Sequence, residues 1–324
     1  MNNLEKFTNA KINTKQIIDD EQNNLANYKK ENSSNKIILN FSGGFDSLAA
    51  KILLGDYAEL VSISFFDIEY DFFKKFKPHI LKTNFRQLGY AENDWTFMGV
   101  GSILFSDYLN SKFHLFGTVF EAFHMHATQE FSSQKKFIEE PFNFIGITDL
   151  KLIQGLTEIG TALVLCNTYP HLVNDSLTSL SQPKTEKRYR KQIITDILQK
   201  KFDLNIYLEP TEPPMKENRL NWGKYFSVDF LSLYMIKYAG IEETSKILKN
   251  IPEEAIEFSK NHELTFYERF DTNFLNNIPN EFKTEITKNL ANAKILPYDQ
   301  NDFKELHDVN VFLSKFYPFL KDII

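Results

Sequence analysis

The segment SGGFDS, which begins at Ser42, has the residue types of an anion-binding loop. It comes directly after a short apolar run that predicts a buried strand, and an amphipathic helical pattern follows it. Gly43 and Gly44 allow a tight turn and let the backbone approach a ligand closely. The helix start supplies unpaired N–H groups and a partial positive charge, and the hydroxyls of Ser42 and Ser47 add further donors. The segment therefore predicts a pocket for an anion of the size of pyrophosphate.

A carboxylate inside the same segment, Asp46, indicates that a metal ion takes part. An acidic side chain in an anion pocket is favourable when Mg²⁺ bridges it to the phosphates, because Mg²⁺ is usually bound by one or two carboxylates together with substrate phosphates. The alternative for the whole segment is an ordinary Gly-Gly turn capped by serine. The strand–loop–helix context favours phosphate binding.

The elements that must position this loop follow from the pattern of apolar residues. Short apolar runs typical of buried strands lie at 37–41, 60–66, 95–98 and 113–116. Helical patterns lie at 45–53, where Gly55 ends the helix, and at 69–88 and 102–110. Strand–helix–strand units with such short crossovers predict an α/β fold, a doubly wound parallel sheet with helices on its faces.

The rest of the chain divides into a lead-in and a helical region. Residues 1–35 are rich in Asn, Lys, Glu and Gln and predict a helical or loosely ordered segment. A proline-dense stretch at 210–214 precedes helical patterns at 222–239, 241–262 and 301–322. We therefore expect an α/β domain at 36–204 and a mostly helical region at 205–324, which could form a substrate lid or a homodimer interface.

Composition excludes several classes of protein. The 324 residues are 42% hydrophobic, which is ample for a core, and 37 basic against 43 acidic residues give a net charge of −6. This charge provides no overall field to attract nucleic acid or an anionic membrane. The single cysteine, Cys166, excludes a disulfide framework and a four-cysteine zinc site, and we expect a buried, inert thiol. Without a membrane-spanning apolar run or a signal-peptide pattern, we expect a cytoplasmic protein with no membrane association.

With its preceding strand, the SGGFDS segment resembles the PP-loop of the N-type ATP pyrophosphatases, in the adenine-nucleotide α-hydrolase-like superfamily. That group includes asparagine synthetases, 7-cyano-7-deazaguanine synthases and tRNA-modifying enzymes. The resemblance covers about residues 36–125, with a weaker extension to about 200. It implies a Rossmann-like HUP fold, with ATP and Mg²⁺ as cofactors. It also implies that ATP is cleaved between its α and β phosphates, that a carbonyl or carboxylate oxygen is adenylated, and that a nitrogen or sulfur nucleophile displaces AMP.

The resemblance assigns roles to residues in and beside the loop. Those implied to bind the departing pyrophosphate are Ser42, Gly43, Gly44, Asp46 and Ser47, with Phe45 between them. Those implied to lie near the adenosine are Asn40, Phe41, Ser64, Phe65 and Phe66. For the phenylalanines, burial in the core of the sheet is the alternative.

A second segment, GTVFE at 117–121, follows the apolar run at 113–116 and resembles the glycine turn that the family places after a later strand. The resemblance implies that Gly117 contacts the nucleotide and that Glu121 is a ligand of Mg²⁺. The alternative for Glu121 is a glutamate at a helix start, which the helix dipole favours.

A basic cluster lies at 184–191, where five of eight residues are basic. Neutralising charge that develops on a phosphate needs such groups. The candidates are Lys184 and Arg188 as catalytic residues and Arg190 as a nucleotide-binding residue. A solvated helix face is the alternative. The wider patch 182–201, with seven basic and two acidic residues, could instead face RNA.

Two departures from the family narrow the function. The region 175–200 has no cysteine, which argues against a zinc-containing 7-cyano-7-deazaguanine synthase and against sulfur transfer by paired cysteines. An N-terminal cysteine is also missing, so glutamine hydrolysis is not built in. We expect an AMP-forming enzyme that activates a small molecule for a nitrogen nucleophile. The alternatives are modification of a tRNA base or nucleotide, and a non-catalytic adenine-nucleotide-binding protein.

Overall fold

The computed structural model describes residues 34–64, 75–84, 99–122, 142, 145–180 and 182–322. At its centre is a five-stranded parallel sheet. The strands are β1 (Ser34–Asn40), β2 (Ala58–Ser64), β3 (His79–Lys82), β4 (Ser111–Leu115) and β5 (Thr148–Leu150). Their order across the sheet is β3-β2-β1-β4-β5, which is Rossmann-like. The predicted α/β fold with a parallel sheet flanked by helices is therefore confirmed.

Helices account for most of the remaining described chain. They are α1 (Phe45–Leu54), α2 (Val100–Phe105), α3 (Glu158–Thr168), α4 (Val173–Leu180), α5 (Glu186–Phe202), α6 (Phe226–Ala239), α7 (Ile241–Thr244), α8 (Glu253–Asn261), α9 (Asn280–Asn292) and α10 (Gln300–Leu313). A small parallel pair, β6 (Leu220–Asn221) and β7 (Leu248–Lys249), lies in the C-terminal region. None of the helices within the described ranges is long and apolar enough to cross a membrane.

Helix α1 forms where its apolar stripe predicts. Leu48, Ala49 and Leu53 are fully buried. Gly55 has φ +56° and its N–H donates to the carbonyls of Lys51 and Ile52, so it ends the helix as expected.

Helix α3 was not predicted from the sequence. It has no amphipathic pattern, and the apolar run at 162–165 does not by itself indicate a helix. Its residues from Glu158 to Cys166 are all buried, so the helix is enclosed on every side and shows no polar face. Thr157 caps it by accepting a hydrogen bond from Gly160 N at 3.2 Å. Burial raises the pKa of Cys166 to about 12, so the thiol stays protonated.

Two predicted helices are wrong in part. The prediction of a helix over 69–88 fails at β3, which pairs with β2 in the register Ser62↔Ile80. Pro78 precedes this strand and disfavours helical backbone at the residue before it. The predicted helix over 241–262 is divided, because Pro252 cannot lie inside a helix and β7 forms before it. The predicted strand at 95–98 lies outside the described residues.

The hydrophobic core is continuous across residue 204, where the sequence predicts a domain boundary. On α9, the ring centroid of Phe282 lies 4.9 Å from the ring centroid of Tyr57 and 5.4 Å from the ring centroid of Phe113. From the same helix, Asn289 donates to the carbonyl of Leu53 at 3.1 Å. The C-terminal helical region thus packs directly on α1 and β4, the elements that carry the predicted loops.

Candidate functional site

The two predicted loops lie at the carboxyl edge of the sheet, after neighbouring strands. The SGGFDS loop (42–47) comes after β1, and the Gly117 turn comes after β4. The order of the strands reverses between β1 and β4, because β2 and β3 lie on one side of β1 whereas β4 and β5 lie on the other. In open α/β sheets, connections that leave in opposite directions at such a point open a crevice in which ligands bind. The fold therefore brings both segments to the expected place.

The SGGFDS loop has the geometry of an anion cradle. Gly43 has φ +76°, a conformation that favours glycine, and Gly44 is the N-cap of α1 with no side-chain cap on the helix. The first turn of α1 therefore keeps N–H groups for a ligand. The hydroxyl of Ser47 donates to the carbonyl of Gly44 at 3.1 Å and accepts from the N–H of Ser42 at 3.3 Å. The serines thus hold the shape of the loop.

Gly117 brings the second turn into contact with the first. A Cβ atom at this position would lie 3.1 Å from the backbone nitrogen of Ser47 and 3.2 Å from the carbonyl carbon of Asp46. A larger residue here would require the two backbones to move apart by a few tenths of an ångström. This contact explains why the chain has glycine here, and nucleotide contact by Gly117 stays a prediction.

Asp46 is held from two sides. Its Oδ1 accepts a hydrogen bond from the hydroxyl of Thr161 on α3 at 2.7 Å, and its Oδ2 lies 3.9 Å from Nζ of Lys191 on α5. The side chain of Asp46 is 28% exposed, whereas that of Lys191 is 5% exposed. The ammonium of Lys191 also lies 4.7 Å from the centre of the buried Phe45 ring. The carboxylate is thus oriented by the fold and still accessible.

Helix geometry decides which residues of the basic cluster face the loop. Lys187 and Lys191 are four residues apart and share one face of α5. The pKa of Lys187 is lowered by desolvation and by the charge of Lys191, whereas the nearby carboxylates of Glu158 and Asp46 raise it. These two lysines, which the sequence analysis did not select, are the ones beside Asp46. Their spacing of four residues does not distinguish them in the sequence, because Lys184 and Arg188 have the same spacing.

The three cations predicted from sequence contact other elements. Lys184 forms an exposed ion pair with Glu212, with 3.0 Å between Nζ and Oε2. Arg190 is buried between Glu158 and Glu186, and its Nε lies 2.6 Å from Oε1 of Glu186. The catalytic role of Lys184 and the nucleotide-binding role of Arg190 stay predictions.

Arg188, the third of these cations, is 5% exposed, and its Nη1 has no hydrogen-bond partner among the described residues. Its pKa is lowered by desolvation, while the charge of Glu209 raises it. Arg188 therefore has the carboxylate of Glu209 nearby. Its catalytic role stays a prediction.

Glu121 is a buried residue that contacts the backbone of Glu158, the first residue of α3. It is 1% exposed, and its Oε1 accepts from the N–H of Glu158 at 3.0 Å. Burial, followed by the charges of Glu158 and Asp46, raises its pKa to about 8. Burial also acts to raise the pKa of Glu158, but the charges of Arg190 and Lys191 outweigh it and lower that pKa to about 2. Glu121 is therefore protonated at neutral pH, beside an ionised Glu158.

This arrangement bears on the predicted metal ligands. Metal ions bind ionised carboxylates, so the burial and raised pKa of Glu121 do not favour metal binding, and its role as a ligand stays a prediction. Within the described ranges, no group of three or more His, Cys, Asp and Glu side chains could hold a metal ion. A metal at Asp46 would therefore need further ligands from phosphate groups or water.

The residues predicted near the adenosine have structural contacts. The amide of Asn40 accepts from the hydroxyl of Ser102 at 2.9 Å and donates to the carbonyl of Leu115 at 3.2 Å, so it joins β1, β4 and α2. Phe41 is 3% exposed, as its sheet-core alternative predicts. Ser64 is the last residue of β2, and Phe65 and Phe66 lie outside the described residues.

His114 is a buried residue that the sequence analysis did not select. It lies on β4, its ring stacks on Phe142 at 3.7 Å between centroids, and its Nδ1 is 3.4 Å from Nδ2 of Asn40. Burial lowers its pKa to about 3, so the imidazole is neutral. The contact between His114 and Asn40 joins the carboxyl ends of β4 and β1, next to the crevice.

No family model, no curated protein and no solved structure gives a significant match to this chain. The function therefore has to be inferred from the residues and their geometry.

Proposed function

We propose that this protein is an AMP-forming, ATP-dependent enzyme of the PP-loop type, with the HUP variant of the Rossmann-like fold. It would activate a carbonyl or carboxylate oxygen of a small molecule for attack by a nitrogen nucleophile. One observation carries the proposal: the SGGFDS loop opens α1 at the point where the strand order reverses, with Asp46 in its first turn. A turn that only connects β1 to α1 would need neither this carboxylate nor the lysines beside it.

The residues around the loop suit a triphosphate. The first turn of α1 provides N–H donors that no side chain caps, and Lys187 and Lys191 provide two positive charges on the facing side of α5. Together they can neutralise charge that develops on the β and γ phosphates. Asp46 would otherwise repel those phosphates, which supports the participation of a divalent cation.

The donor set at Asp46 fits Mg²⁺. An accessible carboxylate together with phosphate oxygens is the usual environment of this ion. Asp46 would hold it, and when bound it supplies charge neutralisation and orientation of the phosphates.

The proposed chemistry needs no side-chain nucleophile. The acceptor oxygen forms a bond to the α phosphorus, the bond from that phosphorus to the bridging oxygen breaks, and pyrophosphate leaves with the electron pair. The nitrogen nucleophile then displaces AMP from the activated carbon. The protein would contribute alignment of the reactants and stabilisation of charge on the pyrophosphate by Lys187 and Lys191. Cys166 takes no part, because it is buried and protonated.

Contacts on α5 favour a small molecule over tRNA as the substrate. Among the seven cations of the 182–201 patch, Arg188 and Arg190 are buried, Lys184 pairs with Glu212, and Lys201 Nζ lies 2.5 Å from Oε1 of Glu268. These cations are already used within the protein. They are therefore less available to a nucleic-acid backbone.

The test uses ATP labelled at the α phosphate, with Mg²⁺ and the small-molecule fraction of a cell extract. We expect the wild type to form AMP. In Asp46→Asn the rate of AMP formation should fall at least about 100-fold, because a neutral amide replaces the carboxylate that holds the cation. Asp203→Asn, at the C-cap of α5, is the matched control, since asparagine also tolerates its left-handed backbone.

Three results would contradict the proposal. ADP as the product would mean that ATP is cleaved between its β and γ phosphates instead of between α and β. Equal AMP formation by wild type and Asp46→Asn would exclude the assigned site. Tight ATP binding without any AMP, also after tRNA is added, would favour the non-catalytic nucleotide-binding alternative.

A further inference from the structure

Thr161 makes the shortest of the contacts that orient Asp46. It lies on α3, one turn after Glu158, and its side chain is fully buried. Its hydroxyl is 2.7 Å from Oδ1 of Asp46 and 3.0 Å from the backbone carbonyl of Glu158. A threonine hydroxyl has one proton to donate, and a carboxylate is a stronger acceptor than an amide carbonyl. The proton therefore goes to Asp46.

Two further contacts restrain Asp46. Thr161 occupies Oδ1, while Lys191 faces Oδ2 from the opposite helix. The backbone of Asp46 is restrained as well, since the Gly117 turn packs against its carbonyl carbon. Contacts from α3, from α5 and from the turn after β4 thus converge on one carboxylate.

We propose that Thr161 is a positioning residue for the phosphate site. This inference rests on the proposed function, in which Asp46 holds the divalent cation of a metal–ATP complex. The Thr161 hydroxyl fixes the orientation of the carboxylate through Oδ1, and the lone pairs that neither Thr161 nor Lys191 engages are left for the cation. It acts through Asp46 and touches neither metal nor nucleotide. In well-studied metal sites, residues that hydrogen-bond to a metal ligand have the same role. Mutation of such a residue lowers metal affinity or activity about 10- to 100-fold.

The experiment compares Thr161→Val, which keeps the shape and loses the donor, with Thr161→Ser, which keeps the donor. Thr244→Val is the matched control, because Thr244 is also fully buried and its hydroxyl donates only to the carbonyl of Gly240, 3.0 Å away. The probe is Mn²⁺ with ATP, followed by electron paramagnetic resonance of the metal. AMP formation is measured in parallel to separate KM from kcat.

We expect Thr161→Val to weaken Mn²⁺·ATP binding about 10- to 100-fold and to raise KM for the metal–ATP complex by a similar factor. Binding of ATP without metal should change less than about threefold, because Thr161 does not contact the phosphates. Thr161→Ser should stay within about threefold of the wild type in both measurements. Thr244→Val should bind like the wild type.

Two results would overturn the assignment. Wild-type affinity in Thr161→Val would show that the hydroxyl does not position Asp46. Equal weakening in Thr161→Val and Thr161→Ser would show that only packing matters. If Thr161→Val does not fold, as circular dichroism would reveal, Thr161→Ala replaces it in the comparison with Thr161→Ser.

Failure of the proposed function has a different signature. In that case the wild type itself would show no Mn²⁺·ATP binding that depends on Asp46. The assignment of Thr161 would then fall with it, whereas the two results above would leave the Asp46 site intact.

Discussion

Lys191 and Asp46 face each other across the gap between α5 and α1, with 3.9 Å between Nζ and Oδ2. The same ammonium lies 4.0 Å from Oε1 of Glu158, which Arg190 already neutralises. Lys191 is thus a buried cation that stands beside the accessible carboxylate of the loop. This relationship joins the two halves of the candidate site, since α5 supplies the positive charge and the start of α1 supplies the anion-binding backbone.

Replacing Lys191 by methionine tests this relationship. We expect Lys191→Met to lower kcat for AMP formation about 100- to 1,000-fold, the usual loss when one stabilising group is removed from a developing negative charge. Lys187→Met should lower kcat in the same direction. Lys200→Met, at the exposed end of the same helix, is the control. Quantification of labelled AMP decides, and full activity in both Lys191→Met and Lys187→Met would remove α5 from the mechanism.

Replacing Gly117 by alanine tests the contact between the two loops. The added Cβ would lie 3.1 Å from the backbone nitrogen of Ser47, so the first turn of α1 must shift by a few tenths of an ångström. We expect ATP affinity to fall about tenfold and the free energy of unfolding to fall by about 1–2 kcal/mol. Isothermal titration calorimetry and urea denaturation measure the two effects.

A second glycine variant serves as the control for Gly117→Ala. In Gly155→Ala the new Cβ would lie 2.5 Å from a ring carbon of Phe270. This variant should lose stability with unchanged ATP affinity for the fraction that folds. Equal loss of affinity in both variants would mean that Gly117 acts only through general stability.

His114 should make the protein sensitive to acid. The folded protein binds a proton at this imidazole only near pH 3, whereas the unfolded chain binds it near the ordinary pKa of 6.5. The folded pKa is lowered, so the unfolding free energy falls as pH drops from about 6.5 towards 3, by at most roughly 1.4 kcal/mol per pH unit. In His114→Gln this slope should decrease by one proton. Urea denaturation at several pH values gives the slopes, and an unchanged slope in His114→Gln would contradict the prediction.

Glu121 should lower the unfolding free energy as pH rises, which is opposite to the effect of His114. Its folded pKa of about 8 lies above the ordinary value of 4.5, so its contribution to stability is complete below about pH 4.5 and is lost as pH rises to about 8. Glutamine resembles the protonated carboxyl and cannot ionise. Glu121→Gln should therefore match the wild type near pH 5 and exceed it in unfolding free energy at pH 8.5. Thermal denaturation at both values measures the difference, and a variant that is less stable at both would show that Glu121 is ionised in the folded protein.

The local parts of this protein follow from the sequence. The apolar runs that form β1, β2 and β4 are short and compact, and the stripe that forms α1 ends at a glycine with positive φ. Each signal lies within about a dozen consecutive residues, so the strand–loop–helix unit around SGGFDS could be placed correctly. Helix α3 could not, because its complete burial removes the polar face on which periodicity depends.

Long-range packing decided the identity of the side chains around the loop. From the sequence, Lys184, Arg188 and Arg190 are as basic as Lys187 and Lys191, and only the docking of α5 against α1 and α3 selects the last two. Thr161 gives no signal in the sequence, since its role depends on a hydrogen bond to a residue 115 positions away. The sequence by itself determined the loop, its strand and its helix, because those depend on neighbouring residues. The tertiary structure determined which charges and hydroxyls meet Asp46, because a side chain's partners depend on how separate elements pack.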